Sequence, residues 1–135
     1  MDEQAIVVTA GLIERDGRYL VARKPPGGPR GGMWEFPGGK VEPGETDRAA
    51  LARELGEELG VVVSVGRPAD VVRWSYPDVS IELRAYECTL VRGEPAPGEH
   101  DVVRWVRPEE LLALPLCEAD VPIARRIATA ARRRS

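Results

Sequence analysis

The chain has 135 residues, enough for one domain with its own core and no disulfide staples. Hydrophobic content of 43% and charged content of 30% are those of an ordinary globular protein. A formal net charge of −3 excludes a global basic field that would draw the chain to nucleic acid or to an anionic membrane.

Of the 19 basic residues only Lys24 and Lys40 are lysines, leaving 17 arginines, which reads first as compositional bias. Cys88 and Cys117 stand far apart without metal-ligand spacing and are predicted to be buried free thiols of a reducing compartment. His100 is the single histidine and cannot build a histidine metal site. The start, Met1-Asp2-Glu3-Gln4, is acidic where a secretion signal is basic. No apolar run approaches the ~20 residues of a membrane span. A cytoplasmic protein is therefore expected, with no nucleic-acid polymer and no membrane as partner. Nothing in the sequence specifies a protein partner or an oligomeric state.

In chain order, Ala5 to Ile13 is β-branched and apolar, Glu14-Arg15-Asp16-Gly17 is a turn, and Tyr19 to Ala22 is a second strand of a hairpin. Pro25 to Gly32 is a loop, Trp34-Glu35-Phe36 a short apolar-rich segment, and Pro37 to Thr46 another loop. Asp47 to Leu59 reads as a helix with Thr46 as N-cap and Gly60 at C′. Its expected apolar side is Ala49, Leu51, Ala52, Leu55 and Leu59. Strands follow at Val61 to Val65, Ala69 to Tyr76, Ser80 to Leu90 and Val102 to Val106. Pro108 to Leu114 and Asp120 to Arg132 read as helices, and Arg132 to Ser135 as a frayed basic tail. This order predicts one α/β (α+β) domain over residues 1–135, a mixed β-sheet sandwiched between helices.

Glu54, Glu57 and Glu58 carry the sharpest signal. Spacings of three and four put them on one helix face. Like charges so placed cost about 0.2–0.5 kcal/mol per pair. They also stand in the second half of the helix, where the dipole disfavours acids. A hard divalent cation reverses that balance, because clustered carboxylates are what Mg²⁺ or Mn²⁺ binds. Mg²⁺ usually shares its shell with water and substrate phosphates, so a site built from a few Glu implies a phosphate substrate. The bland alternative is a solvated acidic face.

The stretch Gly39 to Val61 decides between them. Gly39, five residues, Glu45, seven residues, Arg53-Glu54-Leu55, one residue, Glu57-Glu58, one residue, Gly60-Val61 resembles the Nudix box, GX5EX7REUXEEXGU, at every fixed position. The resemblance implies the Nudix fold, hydrolysis of a nucleoside diphosphate linkage, and Mg²⁺ as cofactor with Mn²⁺ as substitute. It implies that Arg53 orients the catalytic glutamates and that Gly38 gives a carbonyl oxygen to the metal beside Glu54, Glu57 and Glu58. Glu45 reads as a brace for Arg53 or for the loop.

Trp34-Glu35-Phe36-Pro37-Gly38-Gly39-Lys40-Val41-Glu42 resembles the MutT-type branch, which cuts nucleoside triphosphates to monophosphate and pyrophosphate. Ile13 to Gly17 and Leu114 to Pro122 are similar to bacterial CTP pyrophosphohydrolases, which also accept oxidised or methylated nucleotides. By that resemblance the substrate is CTP, dCTP or a modified dNTP such as 8-oxo-dGTP, water attacks the β-phosphorus, and a glutamate takes its proton. Glu54 is the favoured base and Glu99 its rival, since one carboxylate does not easily serve as both tight ligand and base. Glu99 lies six residues before Trp105, matching a loop glutamate that adds a metal ligand or base; the alternative is a solvated loop residue.

Lys40 is a candidate phosphate contact. Arg23 matches a phosphate-binding arginine of MutT, but relatives carry that charge one residue later, where Lys24 stands, so the role is split between the two. Phe36, the single Phe, is a candidate to stack on the base, with a core aromatic as the rival reading. Asp120 suits the cytosine N4 amine or an oxidised guanine, with an N-cap of the last helix as the alternative. Two other classes stay open: a Nudix hydrolase of another substrate, such as ADP-ribose or a nucleotide sugar, and a non-catalytic nucleotide-binding module.

Overall fold

The computed structural model describes residues 4–134, so the expectations on Met1 to Glu3 and on Ser135 lie outside it. Strands β1 (Ile6–Arg15) and β2 (Arg18–Arg23) form the predicted hairpin. Asp16 and Gly17 have φ of 52° and 77°, the left-handed pair that a two-residue type I′ turn needs. Then come β3 (Trp34–Glu35), β4 (Gly38–Lys40), α1 (Asp47–Leu59), β5 (Val62–Ser75), β6 (Ser80–Arg92), β7 (Val102–Val106), α2 (Pro108–Leu111) and α3 (Val121–Arg134).

The sheet is mixed, as expected. β1 runs parallel to β6, which pairs antiparallel with β5 at the edge. On its other side β1 changes partner along its length. Residues Val8 to Ala10 pair with β4, and Glu14 and Arg15 pair with β2, which in turn holds β3 and β7. Between those two stretches the sheet splays.

Helices cover both faces. Leu51, Leu55 and Leu59 of α1 pack on Ile13, Leu20 and Cys88. Ile123, Ala124 and Ile127 of α3 pack on Ala10, Leu12 and Ala85. Alternation along β1 sends Leu12 to one helix and Ile13 to the other. Burial pushes both Cys thiols up to about 12, so each is an inert apolar group.

α1 has the predicted span. Thr46 Oγ1 accepts from the Ala49 amide, and Gly60 takes φ 70° while its N–H bonds Gly56 O. Its buried stripe differs from the expected one: Ala50 is buried, while Ala49 and Ala52 are exposed. The stripe therefore runs along 50/51, 54/55 and 58/59, an i, i+4 ladder. Glu54 and Glu58 ride its margin and are partly covered, whereas Glu57 is exposed.

Other boundaries shift for physical reasons. The loop predicted over Pro37 to Thr46 contains β4, and the two strands predicted over Val61 to Tyr76 are one, β5. Its register shifts around Pro68, and at a sheet edge a proline costs no ladder bond. α2 stops at Leu111 rather than Leu114. α3 begins at Val121 after a 3₁₀ turn, Glu118–Asp120, and stays helical through Arg134 where a frayed tail was expected from Arg132. No helix of the described residues is long and apolar enough to cross a membrane.

Candidate active site

Arg53 is the hub of the box. Its Nε and Nη2 donate to the two Glu45 oxygens at 2.8 and 2.9 Å, a bidentate pair. Its Nη1 donates to Glu54 Oε2 at 3.3 Å and Glu57 Oε1 at 3.0 Å. Nη2 also reaches the Lys40 carbonyl at 3.2 Å. One guanidinium thus separates two like charges and ties the helix to β4. The Arg53 hydrogen bond holds Glu45 down to about 2, helped by the Glu42 amide. Glu45 braces both Arg53 and the loop.

β4 brings backbone to the glutamates. Gly11 N bonds Pro37 O at 2.7 Å and Val41 N bonds Val7 O at 3.1 Å, so residues 37, 39 and 41 of this segment face β1. The carbonyls of Gly38 and Lys40 alternate to the other side, where Arg53 takes the Lys40 oxygen. Glycine is required twice. A Cβ at Gly38 would overlap the Thr9 carbonyl, and one at Gly39 would overlap the Glu54 carboxylate.

Glu58 lies deeper than its neighbours. Its Oε1 is buried without a hydrogen-bond partner. Burial pushes the carboxyl up to about 7; His100 opposes the shift, and Glu35 and Glu54 add to it. Burial also raises Glu54, with Arg53 opposing. The loop before β7 packs on this end of α1: a Cβ at Gly98 would overlap the Glu58 carbonyl, and Ala96 N bonds Leu59 O at 3.1 Å. Glu99 follows at once, with an exposed side chain that makes no hydrogen bond or ion pair among the described residues.

These residues fit a divalent cation. An orphaned, buried carboxylate oxygen on Glu58 has only charge or water to satisfy it, and the Glu54 carboxylate lies against β4 at Gly39, the neighbour of Gly38. Among the described residues no three His, Cys, Asp or Glu side chains close round one point as a finished cage would. An open half-shell suits Mg²⁺, which completes its octahedron with water and phosphate oxygens.

On the opposite face of β4 lies a cavity of about 330 Å³, lined by Lys24, Glu35, Phe36, Gly38, Lys40, Tyr76 and Asp120 among others. A cavity of about 800 Å³ sits between α3 and the far end of β5 and β6, and it contains none of the predicted site residues. The smaller one adjoins the box through Gly38 and Lys40, and that continuity outweighs size.

Alternation sends Arg23 and Lys24 to different sides. Lys24 lines the cavity, whereas Arg23 turns away and pairs with Asp101 at 2.6 Å. Arg23 is thus not brought to the site. Phe36 is the core aromatic of the rival reading, 3% exposed, and it also borders the cavity. Asp120 is 5% exposed, and its Oδ1 accepts from the Phe36 amide at 3.1 Å rather than from its own helix. The N-cap alternative therefore fails. The segment before Asp120 is stitched to β3, with Trp34 N to Pro115 O at 2.9 Å and Cys117 N to Trp34 O at 2.8 Å. Burial, with Glu35 nearby, pushes the Asp120 carboxyl well above the usual range, and the Phe36 amide opposes this.

Two further residues were given no place at the site from the sequence. His100 Nε2 sits 2.9 Å from Glu35 Oε2, a contact across 65 positions, while its Nδ1 is buried without a partner. The pair ties the loop carrying Glu99 to the cavity wall. Adjacency to Glu99 was the available signal.

The fold and the site together define the class. Residues 8–126 match the family model described as NUDIX domain. The chain is 42% identical over 118 residues to the CTP pyrophosphohydrolase of Escherichia coli (strain K12), covering 87% of each. It is 44% identical over 109 residues to the putative 8-oxo-dGTP diphosphatase 2 of Mycobacterium tuberculosis, covering 78% of this chain and 75% of that one. Among solved structures, the E. coli ORF135 protein superposes with a TM-score of 0.81 at 40% identity, covering 96% of this chain and 91% of the other. The chain belongs to the Nudix family, and it is a Nudix hydrolase.

Proposed function

We propose that the protein is a Mg²⁺-dependent nucleoside triphosphate pyrophosphohydrolase that converts CTP, dCTP or an oxidised dNTP such as 8-oxo-dGTP to the monophosphate and pyrophosphate. One observation carries this reading: the acidic face of α1 and the 330 Å³ cavity share a single wall, Gly38 to Lys40. A substrate with its base in the cavity would run its phosphates past Gly38 to Lys40 to reach the glutamates.

The roles divide by chemistry. Gly38 O, Glu57, Glu58 and whichever of Glu54 and Glu99 is not the base would hold the metal, with Mn²⁺ as substitute. A divalent cation bound there would supply charge neutralisation for the phosphate chain. Lys24 and Lys40 meet the phosphates from the cavity side. Arg53, fixed by Glu45, holds Glu54 and Glu57 in place. Glu54 takes the proton of the attacking water, and Glu99 is its rival for that task. Phe36, on the cavity wall, is the candidate to stack on the base, and Asp120 offers a carboxylate whose Oδ2 is left over after the Phe36 amide occupies Oδ1. The names of the relatives, a CTP pyrophosphohydrolase and an 8-oxo-dGTP diphosphatase, favour the same substrate class.

A pyrophosphate-release panel over CTP, dCTP, 5-methyl-dCTP, 8-oxo-dGTP, dGTP, UTP and ADP-ribose tests it. CTP, dCTP or 8-oxo-dGTP is expected to exceed UTP in kcat/KM by at least ~10-fold, the scale of one well-made or missing contact. Fastest turnover of ADP-ribose overturns the triphosphate assignment and leaves the hydrolase class standing.

A further inference from the structure

The loop between β2 and β3 does more than connect them. Arg30 on this loop reaches across the mouth of the cavity to the turn between β5 and β6. Its Nη1 and Nη2 donate to the two Asp78 oxygens at 2.9 and 3.2 Å, and its guanidinium carbon lies 4.1 Å from the centre of the Tyr76 ring. The side chain is only 21% exposed, and Arg30, Tyr76 and Asp78 all line the cavity.

The partners are rigid. Tyr76 N bonds Val79 O at 2.8 Å, closing the turn that holds Asp78, and the Tyr76 hydroxyl accepts from the Ala119 amide at 2.8 Å, next to Asp120. Arg30 itself has φ 58°, a left-handed conformation unusual for a residue with a side chain. Gly31 has the Gly27 carbonyl within 2.5 Å of where a Cβ would stand, so the loop is folded tightly on itself. The backbone is held in an unfavoured state so that this guanidinium can bridge the rim.

We propose that Arg30 is a specificity-determining residue of the nucleotide site: locked by Asp78 and Tyr76, it forms the outer wall of the base pocket and offers its remaining N–H groups to acceptor atoms of the ring. Asp78 uses two of the five donors a guanidinium carries. Bases with carbonyl or ring-nitrogen acceptors at their outer edge are the ligands this wall favours. The inference rests on reading the 330 Å³ cavity as the base pocket. Lysine cannot replace the planar fork that is bidentate to a carboxylate and stacked on a ring at once.

The test compares a nucleotide with ribose 5-triphosphate, which keeps the phosphates and lacks the base. In the wild type, the better of CTP and 8-oxo-dGTP is expected to exceed ribose 5-triphosphate in kcat/KM; equality removes the base-pocket reading and the role of Arg30 with it. Where the wild type discriminates, Arg30→Ala and Arg30→Lys are each expected to raise KM for the nucleotide about 10-fold, with kcat and the ribose 5-triphosphate kinetics unchanged. Asp78→Asn is expected to do the same, and the Arg30→Ala/Asp78→Asn pair to be no worse than either alone. Thermal melts verify that each variant is folded. Equal losses on both substrates, additive effects in the pair, or no change in folded variants overturns the proposal while the base pocket stands.

Discussion

Glu57→Gln and Glu58→Gln are each expected to keep the fold and to lower kcat by at least about 10²-fold at saturating Mg²⁺, the scale of a lost charge at a metal-assisted phosphoryl centre. The two differ in what they do to stability. Glu57 is exposed and paired with Arg53, so its loss as a charge moves the metal-free melting temperature little. Glu58 carries a buried, unpartnered oxygen, so a neutral side chain there leaves that temperature unchanged or higher. Steady-state turnover and a thermal melt on each variant check both halves. Near wild-type kcat in both would remove these residues from the metal site.

Asp120→Asn is expected to lower kcat/KM for CTP and dCTP by about 5- to 150-fold, with UTP hurt less or helped. The Phe36 amide occupies Oδ1, so the introduced carboxamide keeps its oxygen there and turns its NH₂ toward the base. Against the cytosine amine that is donor facing donor, a mismatch of about 1–3 kcal/mol. Uridine presents an acceptor at the same place. Stability should barely move, because asparagine has the size of the acid and keeps the oxygen that accepts from the Phe36 amide. An unchanged CTP/UTP ratio would exclude a base-reading role.

The box helix was legible because three local signals agree: an i, i+4 apolar ladder, a Thr cap and a Gly stop, all within one segment. β4 was not, because Gly38-Gly39-Lys40 has no alternation of its own and becomes a strand only by pairing with β1. β5 reads as two strands because Gly66 and Pro68 are breakers locally, and only its place at the sheet edge makes them harmless. Asp120 followed by Pro122 has the pattern of a helix start, yet the carboxylate serves Phe36, 84 positions away. The contacts of His100 with Glu35 and Arg30 with Asp78 span 65 and 48 positions. No local pattern encodes such pairs, whereas the carboxylates of the box lie within one helix and are fixed relative to each other by its pitch.

The most direct measurement is ³¹P NMR of CTP turnover in ¹⁸O-water, with and without Mg²⁺. The expected result is CMP and pyrophosphate, the label in pyrophosphate as β-phosphorus attack requires, and no turnover when the metal is chelated. Release of CDP with orthophosphate, turnover without a divalent cation, or label confined to CMP would contradict a metal-dependent pyrophosphohydrolase that attacks at the β-phosphorus.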